Sequence, residues 1–323
     1  MSYHARALHT RWARIERAHG RSFGSRNFSE RYYGRAQSSS TIFAAGPSAR
    51  TFSKAWNCSR STAVTQILRI YAIFFLALSA QVFATESARS QANKQTAVVV
   101  ESRPMERRNF TQGLYIFDSE LFVSSGQYGK SAVRVYAWPT MTLNRETALP
   151  KDVFAEGLTL LANRLWVLTW RAGQLLVIDP STLEILTSGK ISSEGWGITH
   201  NASTLWLSNG SSRLHSIDLN NGGKTSALDV TLNGEPLARL NELEWINGKI
   251  WANVWLTNTI VIIDPETGIV TDEIAVDGVL SDEDRLANTD VLNGIAQDPK
   301  TGAIWITGKR WPKLFRIELE DTN

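Results

Sequence analysis

From about residue 97 to the C-terminus, apolar residues come in short alternating bursts separated by Gly, Asp-Pro and Asn-Gly. That is the pattern of half-buried strands and tight turns rather than of helices. The bursts repeat. Phe110-Thr-Gln-Gly-Leu114, Phe154-Ala-Glu-Gly-Leu158, Gly195-Trp-Gly-Ile198, Leu240-Asn-Glu-Leu-Glu244 and Leu292-Asn-Gly-Ile-Ala296 are alike, and aligned on Gly113, Gly157, Gly197, Leu243 and Gly294 they lie 44, 40, 46 and 51 residues apart. Each is followed by a second strand in which Phe122, Trp166, Trp206, Trp251 and Trp305 hold one position. A third strand follows, then a turn such as Asp179-Pro-Ser-Thr or Asp264-Pro-Glu-Thr, then a fourth strand. Four strands in roughly 45 residues is the period of a β-propeller blade. The pattern predicts an all-β fold, a five-bladed β-propeller of four-stranded antiparallel blades over residues 97–323. The fifth unit lacks a full fourth strand, and Ala97–Glu101 is predicted to supply it and close the sheet edges.

Upstream the pattern changes. Residues 70–80 form an apolar run, broken only by Ser79, preceded by Arg69 and followed by Val82-Phe83-Ala84. The run is shorter than the ~18 residues a membrane span wants. A positive flank, a short apolar run and a small-residue exit read as an export signal over 67–84, cleaved, or retained as a membrane anchor. Residues 1–66 show no periodicity and are predicted to be a disordered basic leader. Two origins for it stay open, an over-extended translation start and an organelle transit segment.

Charge sharpens this division. The chain carries a formal +3, yet residues 1–84 hold 12 basic and 2 acidic residues, and residues 85–323 hold 22 basic and 29 acidic. The repeat-bearing part is therefore at −7, which argues against a nucleic-acid partner. The single cysteine, Cys58, lies in the leader, so a disulfide framework is excluded. His200 and His215 are the only histidines of the repeat region, without ligand-like spacing, and read as solvent-edge imidazoles.

In a propeller the innermost strands line a central channel. The repeat starts would then bring Gln112, Glu156, Trp196, Asn241 with Glu242, and Asn293 to one axis. Glu156 stands out, because a carboxylate inside an apolar strand is costly to bury without a purpose. Trp170 lies past its strand end beside Arg171, which favours a site role. Lys309 reads either as a site cation or as a strand-end charge reaching for water.

These motifs resemble the glutaminyl-peptide cyclotransferase family of the plant and bacterial kind, a five-bladed propeller. The match spans about residues 97–320. It is carried by Phe110-Thr-Gln-Gly, Phe154-Ala-Glu-Gly-Leu-Thr, Gly195-Trp-Gly, Asn241-Glu-Leu-Glu-Trp, Trp251-Ala-Asn-Val-Trp, Leu292-Asn-Gly-Ile-Ala and Thr307-Gly-Lys-Arg-Trp-Pro, in the family's order. The resemblance implies Glu156 as catalytic acid/base, with Lys309 and Asn241 as polar partners. It implies Phe110, Gln112, Trp170, Trp196 and Trp255 as the substrate-binding wall. The expected reaction converts an N-terminal glutamine of a peptide or protein to pyroglutamate with release of ammonia. No cofactor or catalytic metal is expected, though a structural cation on the propeller axis stays open. The protein is expected to be a monomer, exported, with no stable membrane partner unless the signal is retained. The sequence departs from the family at Leu256, Asn258 and Asn209, where Gln, Asp and Asp are frequent. The rival readings are a non-catalytic propeller binding peptides or glycans at its mouth, and another propeller enzyme such as a lactone hydrolase.

Overall fold

The repeated bursts become strands in a computed structural model that describes residues 91–322. The segments 1–66 and 67–84 lie outside the described residues. Strand β1 (Asn93–Pro104) comes first in the chain and pairs with the last strands. One four-stranded antiparallel sheet holds β2 (Thr111–Phe117), β3 (Glu120–Ser125), β4 (Ala132–Ala137) and β5 (Leu143–Ala148). The next holds β6 (Ala155–Leu161), β7 (Arg164–Thr169), β8 (Gln174–Ile178) and β9 (Ile185–Lys190). A third holds β10 (Ile198–His200), β11 (Thr204–Leu207), β12 (Arg213–Asp218) and β13 (Lys224–Asp229). After a small hairpin, β14 (Thr231–Leu232) and β15 (Glu235–Pro236), come β16 (Leu240–Ile246), β17 (Lys249–Val254), β18 (Thr259–Ile263) and β19 (Val270–Ala275). Last are β20 (Leu292–Gln297), β21 (Ile304–Gly308) and β22 (Lys313–Asp321). The described residues contain no α-helix, only two 3-10 turns, and no helix among them is long and apolar enough to cross a membrane.

Burial falls from the first strand of each sheet to the fourth. β6 is buried along its whole length and β9 is exposed along its whole length. The middle strands are apolar on both faces because each sheet is covered by its neighbours. Phe122, Val133 and Val135 of one sheet pack with Leu158, Val167 and Leu176 of the next. The repeated indoles Trp166, Trp251 and Trp305 are buried in such layers, while Trp206 is half-buried.

The first strands β2, β6, β10, β16 and β20 pack against one another in cyclic order. Their backbones come so close that side chains are excluded at Gly113, Gly157 and Gly197. The Gly157 N–H donates to the Trp196 carbonyl at 2.6 Å. A Cβ added at Gly197 would lie 1.9 Å from the Asn241 carbonyl oxygen.

β1 runs antiparallel to β22 from Gln95 opposite Asp321 to Pro104 opposite Lys313. The strand is longer than the predicted Ala97–Glu101. Its first residues also pair in parallel with β19, Asn93 opposite Asp272 through Thr96 opposite Ala275. That second pairing, invisible in the repeat, merges the last two strand sets into one eight-stranded sheet.

Candidate functional site

In four of the five first strands the pairing skips at the same place. The breaks fall between Thr111 and Gly113, Ala155 and Leu158, Leu240 and Leu243, and Leu292 and Ile295. A bulge frees backbone groups from its own ladder and re-aims side chains. The side chains re-aimed here are Gln112, Glu156, Asn241 with Glu242, and Asn293, all buried. The remaining first strand is short, and Trp196 and Gly197 precede it as loop. The freed backbone groups are satisfied by neighbouring sheets. Ser124 Oγ donates to the Glu156 carbonyl at 2.5 Å, and Ser208 Oγ to the Asn241 carbonyl at 2.6 Å. Asn253 Oδ1 accepts from the Gly294 N–H at 2.9 Å. Ser124, Ser208 and Asn253 occupy one position of the repeat, two residues after the recurrent aromatic.

Antiparallel pairing sets the start of each first strand beside the end of the second. Phe110, Trp196, Trp170, Trp255 and Lys309 flank those ends, so they gather with the bulges at one mouth. Glu156 Oε1 accepts from Gln112 Nε2 at 3.3 Å, and Gln112 Oε1 accepts from Asn293 Nδ2 at 3.4 Å. Lys309 is only 6% exposed, with Nζ 5.1 Å from the Phe110 ring centroid. It does not reach for water, so the strand-end reading fails. The rings form a wall: Phe110 to Phe154 at 6.2 Å, Phe154 to Trp170 at 5.6 Å, and Trp196 edge-on to Trp255 at 5.3 Å. Asn241 is buried in its bulge, and its side chain makes no hydrogen bond among the described residues.

Burial pushes the Glu156 carboxyl well above the usual carboxylate range. The Lys309 charge pulls it partly back and Glu194 adds to the rise. Burial likewise lowers Lys309, opposed by Glu156 and Asp290. Both shifts follow from taking a charge out of water.

A second polar group begins at the bulge of β16 and runs along the strand away from the mouth. Glu242 and Glu244 sit two residues apart on β16, so both face inward. Glu242 accepts from the N–H groups of Leu114 at 3.4 Å and Ile295 at 2.9 Å, and Glu244 from Gln297 at 3.2 Å. Beside Glu244 is a cavity of about 360 Å³ lined also by Tyr115, His200 and Gln297. His200 is therefore not a solvent-edge imidazole. It is half-buried, bonded to Thr159 Oγ1 at 2.8 Å, and burial pushes it down to about 4.

Burial pushes Glu244 up to about 8. The folded state then holds a proton that the unfolded chain releases above its ordinary range. This contribution to stability is present below about pH 4.5 and is lost as pH rises through about 8. Glu244→Gln is expected to flatten that loss, retaining a few kcal/mol near pH 9 at ~1.4 kcal/mol per pKa unit. Melting curves across pH 5 to about 9 check it. An unchanged slope would count against the assignment.

Two residues of the mouth, Tyr128 and Glu194, carried little signal in the sequence, and a third, Phe154, stood in the repeat motif without being read as part of the wall. Tyr128 packs on Phe154 at 5.5 Å and on Trp170 at 6.4 Å. Phe154 is itself a wall ring. Glu194, in the loop before β10, accepts from both Trp170 and Trp196. Its only signal was an acid immediately before the Gly195-Trp-Gly motif. Of the departing residues, Leu256 is 56% exposed, Asn258 donates to Asp277 at 2.8 Å, and Asn209 Oδ1 accepts from Ser211 Oγ at 2.6 Å. The larger cleft, about 640 Å³ and lined by Arg103, Trp138 and Trp305, holds none of the mouth residues. Among the described residues no three His, Cys, Asp or Glu side chains are grouped to hold a metal ion.

An all-β, propeller-like ring whose strand bulges deliver a buried acid and carboxamides, and whose strand ends deliver a buried amine and an aromatic wall, defines a class of site suited to proton transfer on a small polar group. The comparisons give that class a family. The glutamine cyclotransferase family model matches residues 72–319, and the chain belongs to that family. It is 36% identical over 231 residues to a glutaminyl-peptide cyclotransferase of Arabidopsis thaliana, covering 70% of this chain and 72% of the relative. It is also similar to the crystal structure of a Myxococcus xanthus glutaminyl cyclase, with 31% identity and a TM-score of 0.66, covering 72% of this chain and 100% of the other.

Proposed function

We propose that this chain is a glutaminyl-peptide cyclotransferase acting at the mouth described above. The observation that carries the mechanism is the buried Glu156 carboxyl beside Gln112 and the Lys309 charge. The α-amine of an N-terminal glutamine attacks the side-chain amide carbon. A nitrogen–carbon bond forms, the bond to the amide nitrogen breaks, and ammonia leaves. The attacking nitrogen must lose a proton and the leaving nitrogen must gain one. A single carboxyl group with a raised pKa can take the first and return it as the second. Glu156 holds that place. Lys309, Asn241 and Gln112 donate to the amide oxygen as charge builds on it. Phe110, Trp170, Trp196 and Trp255 confine the glutamine side chain so that it folds back on its own amine.

The five first strands in cyclic contact support a five-bladed ring over residues 97–323. Residues 67–84 direct export to the periplasm or outside the cell, and the ring acts as a monomer on peptides or proteins beginning with glutamine. Proton transfer is assigned to side chains alone.

With a dipeptide beginning in glutamine, the full chain is expected to release ammonia and leave a pyroglutamyl product, unaffected by a chelator. The rate should rise with pH through a limb above the ordinary carboxylate range, because the ionised Glu156 is the form that accepts the proton. The same dipeptide with its amine acetylated should give nothing. Absence of ammonia from the free-amine substrate would end this reading.

A further inference from the structure

We propose that Glu194 is a positioning residue of this site, holding Trp170 and Trp196 at the separation that folds the substrate glutamine back on its amine. This rests on the cyclotransferase reading above. One oxygen, Glu194 Oε2, accepts from Trp170 Nε1 at 2.8 Å and from Trp196 Nε1 at 3.1 Å. The two indoles come from different sheets, one after β7 and one before β10. A single carboxylate therefore sets the distance between them. Its other oxygen faces Arg171 Nε at 3.6 Å, and the Arg171 guanidinium lies 4.0 Å from the Trp170 ring centroid. Trp170 is held at its edge by the acid and on its face by the cation.

The constraint passes onward. Trp196 meets Trp255 edge-on, and a Cβ added at Gly210 would come within 2.6 Å of the Trp196 ring. Trp196 thus has little freedom except toward Glu194. The loop is fastened by backbone as well, since the Gly195 N–H donates toward the Thr169 and Trp170 carbonyls at 3.3 and 3.2 Å. The Glu194 side chain is 42% exposed, so the fold does not depend on burying it. What depends on it is the pair of indole N–H groups, whose loss of an acceptor frees both rings to turn.

The test compares Glu194→Ala with Glu194→Gln on a glutamine-initiated dipeptide, reading kcat and KM separately together with tryptophan emission. Glu194→Ala is expected to lose on the order of 10²-fold in kcat/KM, with KM raised, since small misplacements of positioning groups cost that much. Its emission should shift while its far-UV circular dichroism does not. Glu194→Gln keeps a neutral oxygen acceptor and is expected to recover most of both readouts. Wild-type kcat/KM in the alanine variant, unshifted emission in it, or a glutamine variant as impaired as the alanine one would each overturn the proposal. Should the wild type fail to cyclise, the cyclotransferase reading falls, and the emission comparison alone still decides whether Glu194 holds the indoles.

Discussion

Glu156→Gln is expected to cut ammonia release by about 10²- to 10⁴-fold, the usual worth of a positioned general acid/base, while leaving the melting temperature near that of the wild type. The substitution keeps the shape of the side chain and can still pair with Gln112. It removes only the proton-carrying function. The main-chain carbonyl at this position is held by Ser124, and the Gly157 N–H by the Trp196 carbonyl. The bulge therefore does not need the carboxyl to keep its form. Replacing a buried ionisable group by a neutral one also removes a desolvation cost, so stability has no reason to fall. Parallel measurement of ammonia release and thermal melting checks both halves. A folded variant with the wild-type rate would show that the proton moves through another group.

Gly197→Ala should act on the fold with comparable force. A methyl group there would sit 1.9 Å from the Asn241 carbonyl oxygen and 2.8 Å from the Glu242 Cα. Both obstacles are backbone, locked in a bulge by Ser208, so neither side can yield cheaply. The expected destabilisation is about 3 kcal/mol, the upper part of the range for overpacking. For a protein of this size that lowers the melting temperature by roughly 6–12 °C. Activity should fall too, since relief of the clash moves Asn241 and Glu242. Gly189→Ala is the control, because its added Cβ has nothing within 4 Å and the melting temperature should not change.

The period of the repeat was legible because each sheet repeats one order of strand, turn and aromatic, and that order survives in the chain as Gly113, Gly157, Gly197 and Gly294 with Trp166, Trp206, Trp251 and Trp305. The convergence of Gln112, Glu156 and Asn293 was legible from the same alignment. Other features were not, for physical reasons. Glu194 is defined by indoles on two sheets, a relation no local spacing encodes. The inward pairing of Glu242 and Glu244 was half visible, because alternate residues of a strand share a face, but which face is inner depends on the register break after Leu240. Lys309 read equally well as a surface cation until Phe110 and the ring covered it. The partial burial of His200 was not legible, because its strand is only three residues long and its partner Thr159 belongs to another sheet.

The pairing of β1 with β22 joins residues far apart in synthesis order, with Gln95 bonded to Asp321 across 226 positions. Contacts of such separation form late and slowly. A ribosome that stalls before Lys313 leaves β1 without β22, and β21 without the strand that covers its edge. Unpaired edges are templates for intermolecular pairing. An unfinished chain is thus adhesive, and the last nine residues of the sheet decide whether a newly made molecule closes its edges or is left to the proteases that clear aggregation-prone chains.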